Sequence, residues 1–238
     1  MPPVTPGHPD SAIELDGGAQ IPAPRTPPGI ARARDAGSEG VELGALAHAR
    51  VRESAARNAS AAELFDMGRY EEAVTLFEQA LASCRSTLGG EHPDTLTVAG
   101  NLGVAYVCAG QRRKGMKLIT ANLTARERVL GDTHPETLTA RNALAAAHRI
   151  NGDADAAVAL AKQVVLQRSR TLGPTHVDTL GSRMGLALAL AAVGDVMSAH
   201  RLLASTMNDA EETLGPEHEY TLALVECGES NGLLRREV

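Results

Sequence analysis

The sequence predicts an all-α protein, an α-solenoid in which about four two-helix units stack in chain order and a terminal helix covers the last one. Three observations support this prediction: a phrase that returns every 42 residues, prolines that avoid the segments between its copies, and apolar spacings typical of helices. Aromatic residues make up only 2% of the chain and Trp is absent, although 43% of the residues are hydrophobic. A core built from Ala, Leu and Val suits closely packed helices.

The repeated phrase reads LGGEHPDTL at 88–96, and similar phrases begin at Leu130, Leu172 and Leu214. Their first leucines are each separated by 42 residues. Self-similarity at a fixed period of about 20–50 residues indicates a solenoid, a propeller or another array. The period predicts units at about 46–87, 88–129, 130–171 and 172–213, followed by a cap at 214–238.

The prolines show where helices can run. Of 12 prolines, eight lie in the first 28 residues and one lies inside each copy of the phrase, at Pro93, Pro135, Pro174 and Pro216. Because proline is tolerated in a loop or in the first helical turn but breaks a helix interior, each phrase predicts a loop that leads into a helix. The glycine of the phrase permits a left-handed helix stop, and its Asp and Thr side chains favour the start of the next helix.

Each period divides again at a second glycine, at Gly68, Gly110, Gly152 and Gly194. The apolar stripe before Gly110 consists of Leu96, Ala99, Leu102, Gly103 and Tyr106, and the stripe after it of Met116, Ile119 and Leu123. These spacings of three and four predict two helices per unit, over about 94–109 and 112–129 in the second unit. The last phrase predicts a fifth first helix at about 219–227, which we interpret as a cap for the exposed end of the core.

The first 40 residues differ from the rest in composition. They contain eight prolines, many glycines and few large apolar side chains. Such a segment cannot bury enough surface to offset the entropy of ordering it, so residues 1–40 are predicted to form a disordered tail ahead of a repeat domain at 41–238. A linker to a further domain is the alternative interpretation of the same composition.

Two sequence patterns resemble a known repeat family. L-G-x-x-Y stands at Leu102, Gly103 and Tyr106, and A-x-x-x-F stands at Ala73 and Phe77. Both are parts of the tetratricopeptide pattern, in which small residues let paired helices approach and a large ring fills the remaining gap. HEAT-like repeats share this range of periods, but the two spacings favour tetratricopeptide repeats.

The longer period narrows the resemblance. The usual tetratricopeptide period is about 34 residues, whereas the 42-residue unit with LGxxHPxTL between copies resembles the kinesin-light-chain type and bacterial arrays of that type. TARNALAAAH at 139–148 is similar to their first-helix phrase, and the resemblance covers about 46–226. It implies a right-handed solenoid whose first helices line a concave groove.

The resemblance also implies which residues face the groove, because those just before the leucine of each first helix point inward. In this chain the predicted partner-binding residues are Asn58, Thr97, Asn101, Thr139, Asn142 and Arg149. An asparagine carries both donors and acceptors and can hold the backbone of an extended peptide. The fourth unit offers Met184 and Gly185 at this place, which interrupts a continuous asparagine ladder. Ordinary solvated helix positions are the alternative interpretation of these asparagines.

Composition argues against several function classes. The net charge of −6 gives no general attraction to nucleic acid or acidic lipid. Cys84, Cys108 and Cys227 are far apart and odd in number, which fits a reducing compartment rather than a disulfide framework. The first residues do not read as a signal peptide, and no run of 18 apolar residues predicts a transmembrane helix. We therefore expect a cytoplasmic protein that binds no cofactor.

Candidate catalytic and metal sites are weak. His92, His134, His176 and His218 recur with the period, but neighbouring packed helices lie about 8–10 Å apart, too far for equivalent side chains to share one zinc ion. We expect these histidines to cap helices or bond within loops. Cys108 and His148 lack a repeated orienting partner as a nucleophile and base, and no P-loop motif is present. The basic residues at 112–114 and Lys117 are expected on a solvated convex face, with a docking patch as the alternative.

The predicted function is a non-catalytic interaction module that binds a peptide or a partner helix in its concave groove. The alternative is a regulatory or sensor subunit that works with a nucleotide-binding or DNA-binding domain or chain, since similar bacterial arrays often accompany such domains. An enzyme would need a polar constellation that the sequence does not contain.

Overall fold

A computed structural model of the chain describes residues 12–15, 19–22 and 38–233, with side chains from residue 48 onward. Within these residues the chain forms two short strands and then nine helices. The strands are β1 (Ala12–Leu15) and β2 (Ala19–Pro22). The helices are α1 (Ser38–Asp66), α2 (Tyr70–Leu88), α3 (Pro93–Cys108), α4 (Arg112–Leu130), α5 (Pro135–Ile150), α6 (Ala154–Thr171), α7 (Val177–Ala192), α8 (Val196–Leu214) and α9 (Glu219–Ser230).

The helices pair in the predicted order. Each helix packs against the next one along the chain, so α1–α2, α3–α4, α5–α6 and α7–α8 form four hairpins and α9 packs on α8. The prediction of an all-α array of about four hairpins with a terminal helix is confirmed for the repeat region. The terminal helix is longer than the predicted 219–227, because the helix continues through Gly228 and the chain turns away only at Gly232, whose φ is +66°.

The N-terminal segment contains one described secondary structure besides the start of α1. Strands β1 and β2 are antiparallel, with Ala12 opposite Pro22 and Leu15 opposite Ala19. Residues 1–11, 16–18 and 23–37 lie outside the described residues. The disordered tail over 1–40 and the domain boundary at 41 therefore stay predictions.

The recurring histidines cap helices. Nδ1 of His92, His134, His176 and His218 accepts a hydrogen bond from the backbone N–H two residues later, at 3.1–3.2 Å. Each of these histidines is the N-cap of its helix and has extended backbone dihedrals. An acceptor at this position satisfies one of the amide groups left over at a helix start. The predicted capping role therefore explains why histidine recurs every 42 residues.

The core runs as a layer between the paired helices. Phe65 and Phe77 are fully buried in the first hairpin, and Leu138 and Leu180, the leucines of the repeated TL dipeptide, are fully buried in α5 and α7. In α9 the chain exposes the leucine of the TL dipeptide and buries Leu224 two residues later. Thr221 and Leu224 are buried, as are the equivalent residues Thr179 and Ser182 of α7, so α9 keeps the register of the first helices and exposes Leu222 where no described second helix pairs with it.

In the second hairpin, helices α3 and α4 approach each other more closely than an alanine at position 115 would allow. A Cβ on Gly115 would lie 2.7 Å from the carbonyl oxygen of Gly103 and 2.9 Å from the amide nitrogen of Val107. The other units carry alanines at both glycine positions, for example Ala61 and Ala73 in the first unit. In α3 and α4 the backbones themselves are therefore in contact at this point.

Candidate partner-binding groove

The first helices of the units form one side of the array. Successive first helices contact one another, in the pairs α1–α3, α3–α5 and α5–α7, whereas no pair of successive second helices makes comparable contact in the described repeat region. A stack whose first helices are closer together curves toward them. The first helices therefore line the concave side, which is the predicted groove.

Two of the predicted groove asparagines bind each other. Nδ2 of Asn101 donates to Oδ1 of Asn58 across 3.1 Å, which links α1 to α3. Asn58 is only 1% exposed, while Asn101 is half-buried. Their separation of 43 residues is one more than the 42-residue period. The two asparagines therefore do not occupy equivalent positions in their units.

The third asparagine occupies the position of Asn58 two units later. Asn142 is 7% exposed, and a Cβ on Gly185 would lie 3.7 Å from its Oδ1 atom. Gly185 again follows 43 residues later, on the adjacent first helix. Position 100, which is equivalent to Asn58 and Asn142, holds glycine, so the asparagine ladder inferred from the sequence skips the second unit.

Thr97 and Thr139 belong to repeated polar clusters at the unit junctions. Their hydroxyls donate to the carbonyl oxygens of Pro93 and Pro135, four residues earlier. They also accept hydrogen bonds from the guanidinium groups of Arg126 and Arg168, at 3.3 Å and 2.8 Å. The structure thus gives both threonines a partner inside the array, and a role in partner binding stays a prediction.

Arg126 connects one unit to the next. It is 5% exposed and donates from Nε to Asn122, from Nη1 to Glu136 at 2.6 Å, and from Nη2 to Thr97. Thr97 lies on α3 of the same unit and Glu136 on α5 of the next. One guanidinium group therefore fastens two adjacent first helices to the second helix between them.

Arg168 does the same one period later. It is 4% exposed and donates to Thr139 on α5, to the carbonyl oxygen of Asp178 and to the hydroxyl of Ser182 on α7. The spacing of Arg126 and Arg168 is again 42 residues. Sequence reasoning missed these arginines, although their repetition together with Thr97 and Thr139 was a readable signal.

The last junction replaces this cluster with an aromatic ring. Where the two preceding junctions have Arg, Thr and an acidic residue, this one has Ala210, Gly181 and Tyr220. A Cβ on Gly181 would lie 2.6 Å from the hydroxyl oxygen of Tyr220, so the ring fills the space that the missing side chains leave. Burial raises the pKa of the Tyr220 phenol, and its hydroxyl has no hydrogen-bond partner among the described residues.

This replacement can be tested by exchange. We expect Gly181→Thr alone to lower the free energy of unfolding by about 2 kcal/mol, because the added side chain overlaps the Tyr220 hydroxyl. The triple variant G181T/A210R/Y220D restores the residue types of the preceding junctions and should recover most of the loss. Urea denaturation followed by far-UV circular dichroism measures both. A triple variant that is less stable than G181T would contradict this account.

Arg149 is a predicted site residue with a buried hydrogen-bond donor that lacks an acceptor among the described residues. Its Nη2 atom is buried and has no hydrogen-bond partner among the described residues. Burial lowers the pKa of its guanidinium group, and the Cys227 thiol on α9 opposes that shift. Arg149 lies on the first helix α5, whose neighbours α3 and α7 are also first helices. An arginine stays charged in proteins, so Arg149 presents a desolvated donor there.

Comparison with known sequences and structures follows the same repeat boundaries. Tetratricopeptide repeat profiles match residues 52–114 and, as consecutive 42-residue units, residues 95–136, 137–178 and 179–220. The three units together span more than half of the chain. The chain belongs to the tetratricopeptide repeat family. Tetratricopeptide repeats generally mediate protein–protein interaction, and proteins of this kind are generally non-catalytic scaffolds.

Similar solved structures are of the kinesin-light-chain type. Crystal structures of kinesin light chain-like, nearly identical TPR-like repeats from Podosopora anserina, and of a point variant of the same repeats, each share 32% sequence identity with this chain. Each superposes with a TM-score of 0.61 over 77% of this chain and 88% of the other. The predicted type of tetratricopeptide repeat is thus confirmed. No curated protein sequence matches the chain.

The remaining reactive side chains of this tetratricopeptide array are tied into its structure. Burial raises the pKa of the Cys108 thiol to about 12, which disfavours the thiolate that a nucleophile needs. Nδ1 of His148 lies 3.0 Å from a carboxylate oxygen of Asp153 in the following turn. Within the described residues, no group of three or more His, Cys, Asp or Glu side chains is placed to hold a metal ion.

The basic cluster of the second unit lies at the start of α4. Lys114 donates to Gln111 and lies 5.2 Å from the centre of the Tyr106 ring, while Arg112 and Arg113 are exposed. This arrangement is consistent with the predicted solvated face. None of the helices in the described part of the chain is both long and apolar enough to cross a membrane.

Proposed function

We propose that this tetratricopeptide array is a non-catalytic interaction module that binds a peptide or a helix of a partner protein in its concave groove. Arg149 is the observation that carries the proposal. It lies on the inner helix α5 and holds a buried guanidinium nitrogen with no hydrogen-bond partner among the described residues. Leaving such a donor unmet costs free energy. Because the nitrogen is fully covered here, a bound segment would have to displace its cover before a carbonyl or carboxylate oxygen could satisfy it.

The inner asparagines contribute to the same surface in different ways. Asn101 is half-buried and keeps one amide hydrogen and its carbonyl oxygen beyond the bond to Asn58, so it can contact a bound backbone directly. Asn58 and Asn142 are nearly buried and position the neighbouring helices. We propose that Asn101 and Arg149 touch the partner and that Asn58 and Asn142, with Thr97 and Thr139, hold the shape of the groove.

Peptide selection tests this function and needs no natural partner in hand. A displayed library of random 15-residue peptides is selected on the purified chain, and the affinities of the selected peptides are measured by fluorescence anisotropy. We expect R149A to weaken binding at least about tenfold, in line with the loss of a hydrogen bond to a charged group, and N101A to weaken it less. Far-UV circular dichroism should show unchanged helicity in both variants.

Arg201→Ala is the matched control. Arg201 is exposed on the second helix α8, away from the groove, so removing the same charge there should leave the affinity unchanged. Equal affinities of the selected peptides for the wild-type chain and for R149A would show that the groove around Arg149 is not the binding surface.

A further inference from the structure

The chain places one of its own strands on the proposed groove. Strand β2 lies alongside α5 and α7, the first helices of the third and fourth units. Helix α5 carries both Asn142 and Arg149, and α7 is the next first helix in the array. A segment that precedes the repeats in sequence therefore contacts two adjacent first helices of the array.

An isolated hairpin needs such a surface. Strands β1 and β2 are four residues each, and a two-stranded hairpin of this size is at best marginally stable in water. Contact with the two helices gives the strands a neighbour beyond their own pairing. The contact with α5 and α7 is thus the interaction that can hold the two strands together.

The inner helices beside the strand expose little surface. Every residue from Glu136 to Ile150 and from Asp178 to Ala191 is buried or half-buried. The terminal helix α9, by contrast, exposes Glu219, Leu222 and Glu226. Helix α3 is equally unexposed from Asp94 to Ala109, so low exposure is common to the first helices inside the array, and the greater exposure of α9 follows from its terminal position.

The length of the chain permits this contact within one molecule. Fifteen residues, 23–37, separate β2 from α1. Fifteen residues can span up to about 50 Å, whereas three steps between packed helices, from α1 to α7, amount to roughly 30 Å. A second copy of the chain is not required.

We propose that the strand pair β1–β2 is an intramolecular occupant of the groove, and that a partner gains the half of the groove formed by α5 and α7 by displacing it. This inference rests on the proposed function, because it assigns a ligand to the same groove. The strand beside the helices, AQIP, is uncharged and is paired with a second strand. The class of ligand it indicates is a peptide in an extended conformation whose stretch against the helices is uncharged.

Competition between the attached segment and a free copy provides the test. The probe is a synthetic, fluorescently labelled peptide with the sequence of residues 10–24. It is titrated with the full chain and with a chain of residues 38–238, which retains every described core residue, since the core clusters draw on residues from Ala61 onward. A short tether gives an effective concentration of about 1 mM, so a peptide that binds residues 38–238 with a Kd near 100 µM should bind the full chain about tenfold more weakly.

A charge change in the strand should open the groove. Because consecutive side chains of a strand point to opposite faces, Q20D/I21D turns one carboxylate toward the helices whichever face of β2 is inward. The full chain with Q20D/I21D should bind the peptide as tightly as residues 38–238 do. A31D/A33D adds the same charge outside the strands and should keep the tenfold weakening.

Each other outcome overturns the inference in a recognisable way. Equal affinity of the peptide for the full chain and for residues 38–238 shows that the groove is not occupied by the attached segment. Absence of binding to either shows that the segment is not a ligand, and the proposed function still stands if residues 38–238 bind peptides selected from the library. A weakening that grows with the concentration of the full chain, together with dimers in light scattering, assigns the strand to a second copy.

Discussion

Replacing Arg126 by Ala should lower the free energy of unfolding by about 3 kcal/mol, the magnitude expected when one partner of a buried ion pair is removed. The substitution deletes donors to Asn122, Glu136 and Thr97 at once. Because these acceptors lie on three consecutive helices, the loss should loosen the junction between the second and third units. Urea denaturation followed by far-UV circular dichroism gives the free energy.

Arg128→Ala is the control for this prediction. Arg128 lies on the same helix and pairs with Glu91, but its side chain is 61% exposed. Exposed ion pairs contribute little, so R128A should change the stability by less than about 1 kcal/mol. Similar effects of R126A and R128A would mean that the buried cluster does not hold the junction.

Gly115→Ala should destabilise the protein by about 3 kcal/mol, although alanine is intrinsically the better helix former by about 1 kcal/mol. The added Cβ would meet the backbone of α3 and lie 2.5 Å from Cγ2 of Val107. Because two of the three nearest atoms belong to the backbone, a rotamer change cannot relieve the overlap. The helices of the second hairpin would have to separate, and the same urea denaturation measures the cost.

Gly100→Ala tests the same change where space exists. A Cβ on Gly100 would lie 3.5 Å from the side chain of Asn122, an ordinary van der Waals contact. We therefore expect G100A to raise the free energy of unfolding slightly, by up to about 1 kcal/mol. If G115A were also stabilising, the close approach of α3 and α4 would not constrain the hairpin.

Pairs of residues that look alike in the sequence differ in the folded protein. Gly115 and Gly100 are both helical glycines, and their opposite expected effects depend on the distance to the neighbouring helix. Asn101 and Asn142 look alike on a helical stripe, yet one keeps unused hydrogen-bonding groups beside the groove and the other is nearly buried. The groove residues could be placed on the correct helices from the sequence, but their exposure could not.

The repeat length, the helix boundaries to within a few residues and the capping role of His92 and its equivalents follow from the linear sequence, because they depend on interactions between residues a few positions apart. Proline, glycine and the capping histidine act on their own backbone or on the next turn, so their effect is visible in a 42-residue pattern. The role of the arginines that join the units, and the lack of an acceptor for the buried Arg149 nitrogen, could be recognised only in the folded structure. Those outcomes depend on side chains that lie far apart in the chain, and their burial is set by how closely neighbouring helices pack.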